Sequence, residues 1–143
     1  MAKRADPTAA LAAVPLFEEL SKKDLKTILD SSKEVSFAPG RTIVEEGTTG
    51  VAFHLIIEGT ARVSVKGRTK AKLGPGDYFG EISLIDRGPR SATVSAETEV
   101  HTVTVASWNF LTLIDHTPTI ARKLLTGLCK RIRETEKSAA HTH

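Results

Sequence analysis

The 143 residues amount to 15.4 kDa, enough for one domain with a single core and too few for two. Apolar residues make up 40% and charged residues 26% of the chain, ordinary globular usage that excludes a disordered or fibrous repeat class. A net charge of +3 suits an anionic partner, but basic residues spread over a surface give the same total, so charge alone does not mark a nucleic-acid binder.

The first twenty residues, MAKRADPTAALAAVPLFEEL, join two basic residues to an alanine-rich run. Asp6, Pro7, Pro15 and Glu18-Glu19 interrupt it before any apolar segment long enough for export or spanning. The expectation is a cytoplasmic chain with no membrane contact. Thr8 to Val14 predict a short helix that Pro15 ends. A second helix starts where Ser21 can cap free amides with Asp24 as its reciprocal partner, and Leu25, Ile28 and Leu29 give it an apolar face to about Asp30. Residues 1–7 and 138–143 are expected to be loose ends around a core of about 16–137.

The period then changes. KEVSF, RTIVEE, VAFHLII, TARVSV, TKAKL, SATVSA and EVHTVTV are short, β-branched runs, many of them alternating, and read as strands. Pro39-Gly40, Glu46-Gly47, Glu58-Gly59, Lys66-Gly67, Gly74-Pro75-Gly76-Asp77 and Gly88-Pro89 separate them at the spacing of antiparallel turns. The helical period returns after Val105. SWNFLTLIDH offers Ser107 as a cap and Trp108 as a packing anchor. TPTIARKLLTGLCKRIRETEK has Thr117 as cap, Pro118 at the first helical position, and the apolar row Ile120, Leu124, Leu128 and Ile132. The single cysteine, Cys129, reads as a small buried hydrophobe, and no disulfide can form within the chain. The predicted class is α+β, mainly β: an antiparallel jelly-roll barrel of seven or eight strands between short N-terminal helices and a short and a long C-terminal helix.

Chemistry concentrates in FGEISLIDRGPRSATVSA, Phe79 to Ala96. Gly80 permits close approach of a ligand to the backbone. Ile82, Leu84 and Ile85 allow one turn of helix whose first amides invite an anion. The break at Gly88-Pro89 delivers Arg90, whose guanidinium can grip two oxygens of one phosphate. Glu81 would repel that phosphate unless the ligand also shows hydroxyl donors, as a ribose does through its 2′-OH. Taken as an isolated couple, Glu81 and Arg90 also read as a surface ion pair worth under about 1 kcal/mol.

The run Phe79-Gly80-Glu81-Ile82-Ser83-Leu84, followed by Pro89-Arg90-Ser91-Ala92-Thr93-Val94, closely resembles the phosphate-binding cassette of cyclic nucleotide-binding domains. These domains occur in bacterial catabolite activator proteins, protein kinase A regulatory subunits and cyclic nucleotide-gated channels. EGTTGVAFHLIIEGTARV and LGPGDYFGE are similar to the family's preceding turn and strands, and the last two helices to its hinge and lid. The resemblance covers about Leu16 to Lys137.

The resemblance implies a role for each of several residues. Glu81 would bind the ribose 2′-hydroxyl and Arg90 the cyclic phosphate. Gly80 and the amides of Ile82 and Ser83, with Ser91 and Ala92, would complete the phosphate cradle. Val63 and Leu73 would line the sugar and base pocket. Arg131 and Thr135 would lie over the base, in that family partly from a neighbouring subunit. They read equally well as a solvated helix face, and Glu136 stands where activators carry a small hydroxyl residue. Ser91 favours cyclic AMP over cyclic GMP, though a strand-start serine can also bond its own backbone.

What is implied is a bacterial receptor without chemistry of its own, signalling by movement of its C-terminal helices. No cofactor is expected. Only SAAHTH follows Lys137, so no DNA-binding domain is expected, and output would pass to a protein partner or to a homodimer along the last helix. The alternative is a scaffold with a vestigial pocket whose basic helix contacts an acidic partner. His54, His101, His116, His141 and His143 are scattered, so neither a metal site nor a nucleophile-base set is expected, and the chain does not read as an enzyme.

Overall fold

The β-branched runs between Lys33 and Ala106 form eight strands in the computed structural model, which describes residues 4–81, 83–86 and 88–141. In chain order they are β1 (Lys33–Phe37), β2 (Thr42–Val44), β3 (Ala52–Glu58), β4 (Ala61–Val65), β5 (Arg68–Leu73), β6 (Tyr78–Phe79), β7 (Thr93–Ala96) and β8 (Val100–Ala106). All their pairings are antiparallel. The two-residue loop Lys66-Gly67 joins β4 to β5 with both residues at positive φ, 52° and 79°, the backbone twist that a right-handed hairpin requires.

The predicted α+β, mainly β architecture holds: its strands form two four-stranded antiparallel sheets, ordered β1-β8-β3-β6 and β2-β7-β4-β5, and the jelly-roll barrel does not close. The reason lies at the edges. β6 makes only the pairs His54↔Phe79 and Leu55↔Tyr78 before the chain turns away at Gly80, so it cannot carry the ladder round to the second sheet. The run RTIVEE likewise yields just three strand residues, because Glu45 and Glu46 turn into the loop that leads to β3.

β3 explains the layering. Phe53, His54, Leu55, Ile56 and Ile57 are all buried in succession, since helices cover one face of its sheet and the second sheet covers the other. Phe53, Leu55 and Ile57 join Leu11, Leu16, Phe17, Leu25, Ile28, Phe110 and Ile120 in the core beneath the helices. Ile56 joins Ala61, Val94, Ala96 and Val100 between the sheets. Phe17 stands edge-on to Phe53 at 5.8 Å and lies 6.2 Å from Phe110, so one aromatic side chain ties the N-terminal segment to both the sheet and the C-terminal helices.

Helix α1 (Pro7–Ala12) begins one residue before the expected Thr8 and stops short of Val14. A 3-10 turn spans Pro15–Phe17, and α2 covers Lys22–Asp30 with the full capping box of Ser21 and Asp24. The segment preceding α1, expected to be loose, is tied down from residue 4: the Ala5 amide donates to Ile57 O at 2.9 Å. After β7 and β8 come α4 (Ser107–His116) and α5 (Pro118–His141), with the single-turn α3 (Ser83–Asp86) inserted between β6 and β7.

Three expectations about the C-terminal helices change. The N-cap of α4 is Ala106, and no side chain caps it. The Ser107 hydroxyl is buried and donates to Leu84 O at 2.9 Å, a tertiary partner that outcompetes the local cap. Trp108 is 58% exposed rather than an anchor, because the inward side of α4 is taken by Ser107 and Phe110 and the helical period turns Trp108 away from them. Cys129 is exposed, since α5 buries Ile120 and Leu124, packs Leu128 against the core and presents its opposite side to solvent. The expected apolar row is therefore used by the fold up to Leu128, and Ile132 is 58% exposed.

Helix α5 rides on the N-terminal segment. At Gly127 its backbone comes close enough that an added methyl group would lie 3.4 Å from Leu16 O. Lys123 Nζ meets Asp24 Oδ2 at 2.7 Å and Lys130 pairs with Glu19. The Lys123 hydrogen bond holds the Asp24 carboxyl below its ordinary range against the opposing effect of burial.

Candidate functional site

β6 runs into Gly80 and then Glu81, and the position of that turn follows from one backbone angle. Gly80 has φ +85°, and a side chain there would meet Ala52 O at 2.6 Å and the Arg90 guanidinium. Only glycine lets the chain double back this close to Arg90. Arg90 itself is held by a strap from the loop between β2 and β3. Its amide donates to Thr48 O at 2.8 Å, its carbonyl accepts from the Gly47 amide at 2.8 Å, and Gly88 O accepts from the Gly50 amide at 2.9 Å. The neighbouring Pro89 bridges to Thr49.

The guanidinium is half-buried. Nη2 donates to Ala52 O at 2.5 Å, which fixes one side of the fork. Burial pushes the Arg90 pKa below its ordinary value and the Glu81 carboxylate opposes that shift, so the group stays cationic at neutral pH. No ion pair among the described residues joins Glu81 to Arg90. The reading of the two as a simple surface pair therefore has no counterpart in the structure, and each charge can meet a ligand.

Both face one cavity of about 460 Å³. Of the residues singled out from the sequence, Gly80, Glu81, Arg90, Ser91, Ala92, Val63 and Leu73 line it. Ile82 lies outside the described residues. Ser83 opens α3, whose Leu84 is buried and whose Asp86 carboxylate accepts from the Gly88 amide at 2.8 Å. Arg131 and Thr135 are not among the lining residues. Thr135 is exposed, and its hydroxyl donates to Arg131 O at 3.0 Å. Burial and then the Glu81 carboxylate push the Tyr78 phenol up, while Arg131 pulls it down.

Residues not picked out from the sequence complete the wall: Val44, Tyr78, Phe79, Asp86 and Val94. Strand register is the signal that locates two of them. Val94 pairs with both Val44 and Val63, so the three valines share one inward patch once Val63 is placed there. Behind Arg90 lies His54, 7% exposed and stacked on Phe79 at 5.0 Å, with Nδ1 2.9 Å from the Thr104 hydroxyl. Burial, with Arg90 adding to it, lowers its pKa to about 4. Among the described residues no cluster of three histidine, cysteine, aspartate or glutamate side chains could hold a metal ion, and no helix is long and apolar enough to cross a membrane.

Fold and site together define a β-sandwich domain with a cavity that offers a guanidinium at one point of its wall and a carboxylate at another. Comparison with known proteins gives the class its name. The profile of the family described as "Cyclic nucleotide-binding domain" matches residues 34–117, and the chain belongs to that family. It is 32% identical to the cyclic AMP receptor protein of Thermus thermophilus over 127 residues, 85% of this chain and 59% of that one. It is 34% identical to the potassium/sodium hyperpolarization-activated cyclic nucleotide-gated channel 2 of mouse over 122 residues, 85% of this chain and 14% of the channel. This chain thus spans less than two thirds of the length of either relative. Among solved structures, the N-terminal domain of a transcriptional regulator from Streptomyces coelicolor superposes with TM-score 0.81 at 32% identity, covering 91% of this chain and 94% of that one. The Thermus thermophilus catabolite activator protein superposes with TM-score 0.66 at 32% identity, covering 90% and 62%. Domains of this family are typically regulatory.

Proposed function

We propose that this chain is a cyclic AMP receptor that passes ligand occupancy to its C-terminal helices. The observation that carries the reading is the single cavity bordered by Glu81 and Arg90, with Gly80, Ser91 and Ala92 beside them and Val63 and Leu73 on the apolar wall. The ligand has to present an anion to Arg90 and hydroxyl donors to Glu81, and a cyclic ribose phosphate does both. One relative is named for cyclic AMP, and Ser91 is the residue that favours adenine over guanine. The Arg90 fork keeps N–H groups beyond the one spent on Ala52 O, enough for a phosphate oxygen pair.

Occupancy would draw the turn at Glu81 and α3 toward Arg90, and Leu84 would carry that movement to α4 through its contact with Ser107. A shift of this kind requires tighter binding to the closed arrangement than to the open one. Output would then pass to a protein partner.

The test is parallel calorimetric titration with cyclic AMP and cyclic GMP, with thermal unfolding measured at saturating ligand. Heat from both nucleotides, tighter binding of cyclic AMP and a raised Tm are expected. Absence of heat and of stabilisation with either nucleotide overturns the reading.

A further inference from the structure

The sandwich is open along one side. β1 and β2 each end their sheet, and among the described residues no pairing joins them. Between these two edges lies a second cavity, of about 600 Å³. Val35 and Phe37 of β1, Ile43 and Val44 of β2 and the neighbouring Val51 give it an apolar wall, and Glu45 and Arg90 also border it. An anion there meets the Glu45 carboxylate and a cation meets the Arg90 guanidinium. The lining therefore suits an uncharged, mainly apolar molecule.

His54 adds the polar point of attachment. It lines this cavity and not the one beside Glu81, and with its pKa lowered to about 4 the ring is neutral at physiological pH. Three hydrogen bonds assign its proton. Thr102 donates its hydroxyl hydrogen to Val35 O at 3.5 Å, so in the 2.8 Å contact between Thr102 and Thr104 the donor is Thr104. Each hydroxyl has one hydrogen, so in the 2.9 Å contact between Thr104 and His54 the donor is Nδ1. Nε2 then carries a bare lone pair. No hydrogen bond among the described residues reaches Nε2. Nor is it sealed off, since among the described residues Glu19 Oε1 is the one unpaired side-chain atom out of reach of solvent. We propose that this cavity is a second ligand site, for an uncharged amphiphile whose hydroxyl donates to His54 Nε2 while its apolar body lies against Val35, Phe37 and Ile43. Two shared parts link it to the first cavity: Arg90 borders both, and His54 stacks at 5.0 Å on Phe79, a wall residue of the first. An occupant that displaces either part changes affinity at the other site, and the effect is reciprocal.

Equilibrium dialysis of the whole chain against 2-naphthol, and against 2-methoxynaphthalene, which keeps the rings and lacks the donor, tests the site. The naphthol should bind with a Kd below about 1 mM and the ether about tenfold more weakly, the worth of one hydrogen bond. His54→Phe keeps the bulk and the stack but removes the acceptor, and should abolish the difference between the two probes. Amide shifts induced in the wild type by 2-naphthol should centre on Phe37, Ile43 and Val51. No binding of 2-naphthol up to about 1 mM overturns the proposal, as does equal binding of the two probes by the wild type. Shifts confined to Ser91 and Ala92 place the probe in the first cavity and overturn it as well.

Discussion

The hydroxyl of Ser107 donates to the main-chain oxygen of Leu84 across 2.9 Å, binding the first turn of α4 to the one-turn helix beside the cavity. Both residues are fully buried, so neither group has water as a substitute. Ser107→Ala leaves Leu84 O unpaired and should cost about 1–3 kcal/mol of stability. Cyclic AMP affinity should change little, whereas the ligand-induced change in Trp108 fluorescence should shrink. Trp108 is the only tryptophan and adjoins Ser107. An undiminished signal would remove this bond from the coupling.

Arg90→Ala removes the one guanidinium on the cavity wall among the described residues. Loss of one member of a buried charge pair with a ligand costs about 2–5 kcal/mol, roughly 30- to several-thousand-fold in affinity. Calorimetry with cyclic AMP checks this, and near-wild-type binding by the variant would take Arg90 out of the site. Glu81→Gln should lose less, and mainly for ligands that carry a 2′-hydroxyl. Equal losses for the ribose and 2′-deoxyribose nucleotides would contradict the role assigned to Glu81.

Gly80→Ala and Gly67→Ala place the same methyl group at similar φ, +85° and +79°. At Gly67 nothing lies within 4 Å, so only the backbone penalty of about 1 kcal/mol applies. At Gly80 the methyl meets Ala52 O at 2.6 Å and the Arg90 guanidinium. Chemical denaturation should show the larger loss for Gly80→Ala, and only that variant should also lose cyclic nucleotide affinity.

His54 gives the fold a pH dependence. Its pKa is lowered from 6.5 to about 4, so on acidification the unfolded chain takes up this proton first. The contribution is complete above pH 6.5, declines as pH falls from there, and is exhausted near pH 4. Its size is of order 3 kcal/mol. Urea unfolding of the wild type and of His54→Gln across that window should give converging stabilities at low pH. Parallel curves would mean that His54 is not the titrating group.

The order of elements was legible because each carries its own local signal. Ser21 and Asp24 announce the start of α2, and Lys66-Gly67 announces a hairpin. Glu81, Arg90, Val63 and Leu73 were legible as a group through resemblance, and they line one cavity. What stayed hidden depends on contacts between distant segments. Whether the sheets close depends on how far β6 pairs along β3, and two residues of pairing leave no local mark. Ser107 reads as a cap until Leu84, twenty-three residues earlier, is known to lie beneath it. Trp108 and Cys129 were misassigned because an apolar residue on a helix says nothing of its side until the period is anchored by Phe110 or Leu124. Val44 and Val94 reach the cavity through register, which one strand alone does not specify.

Gly127 and the two lysines on either side of it give α5 a mechanical character. The close approach to Leu16 O is a fulcrum, and Lys123 and Lys130 fasten the arms to Asp24 and Glu19. Any tilt of the long helix must therefore carry the Pro15–Asp30 segment as freight or release both tethers together. Where the tethers hold, the lever and its bearing would move as one body, and a reporter attached to the amino-terminal helices would register a stroke made at the opposite end of the chain.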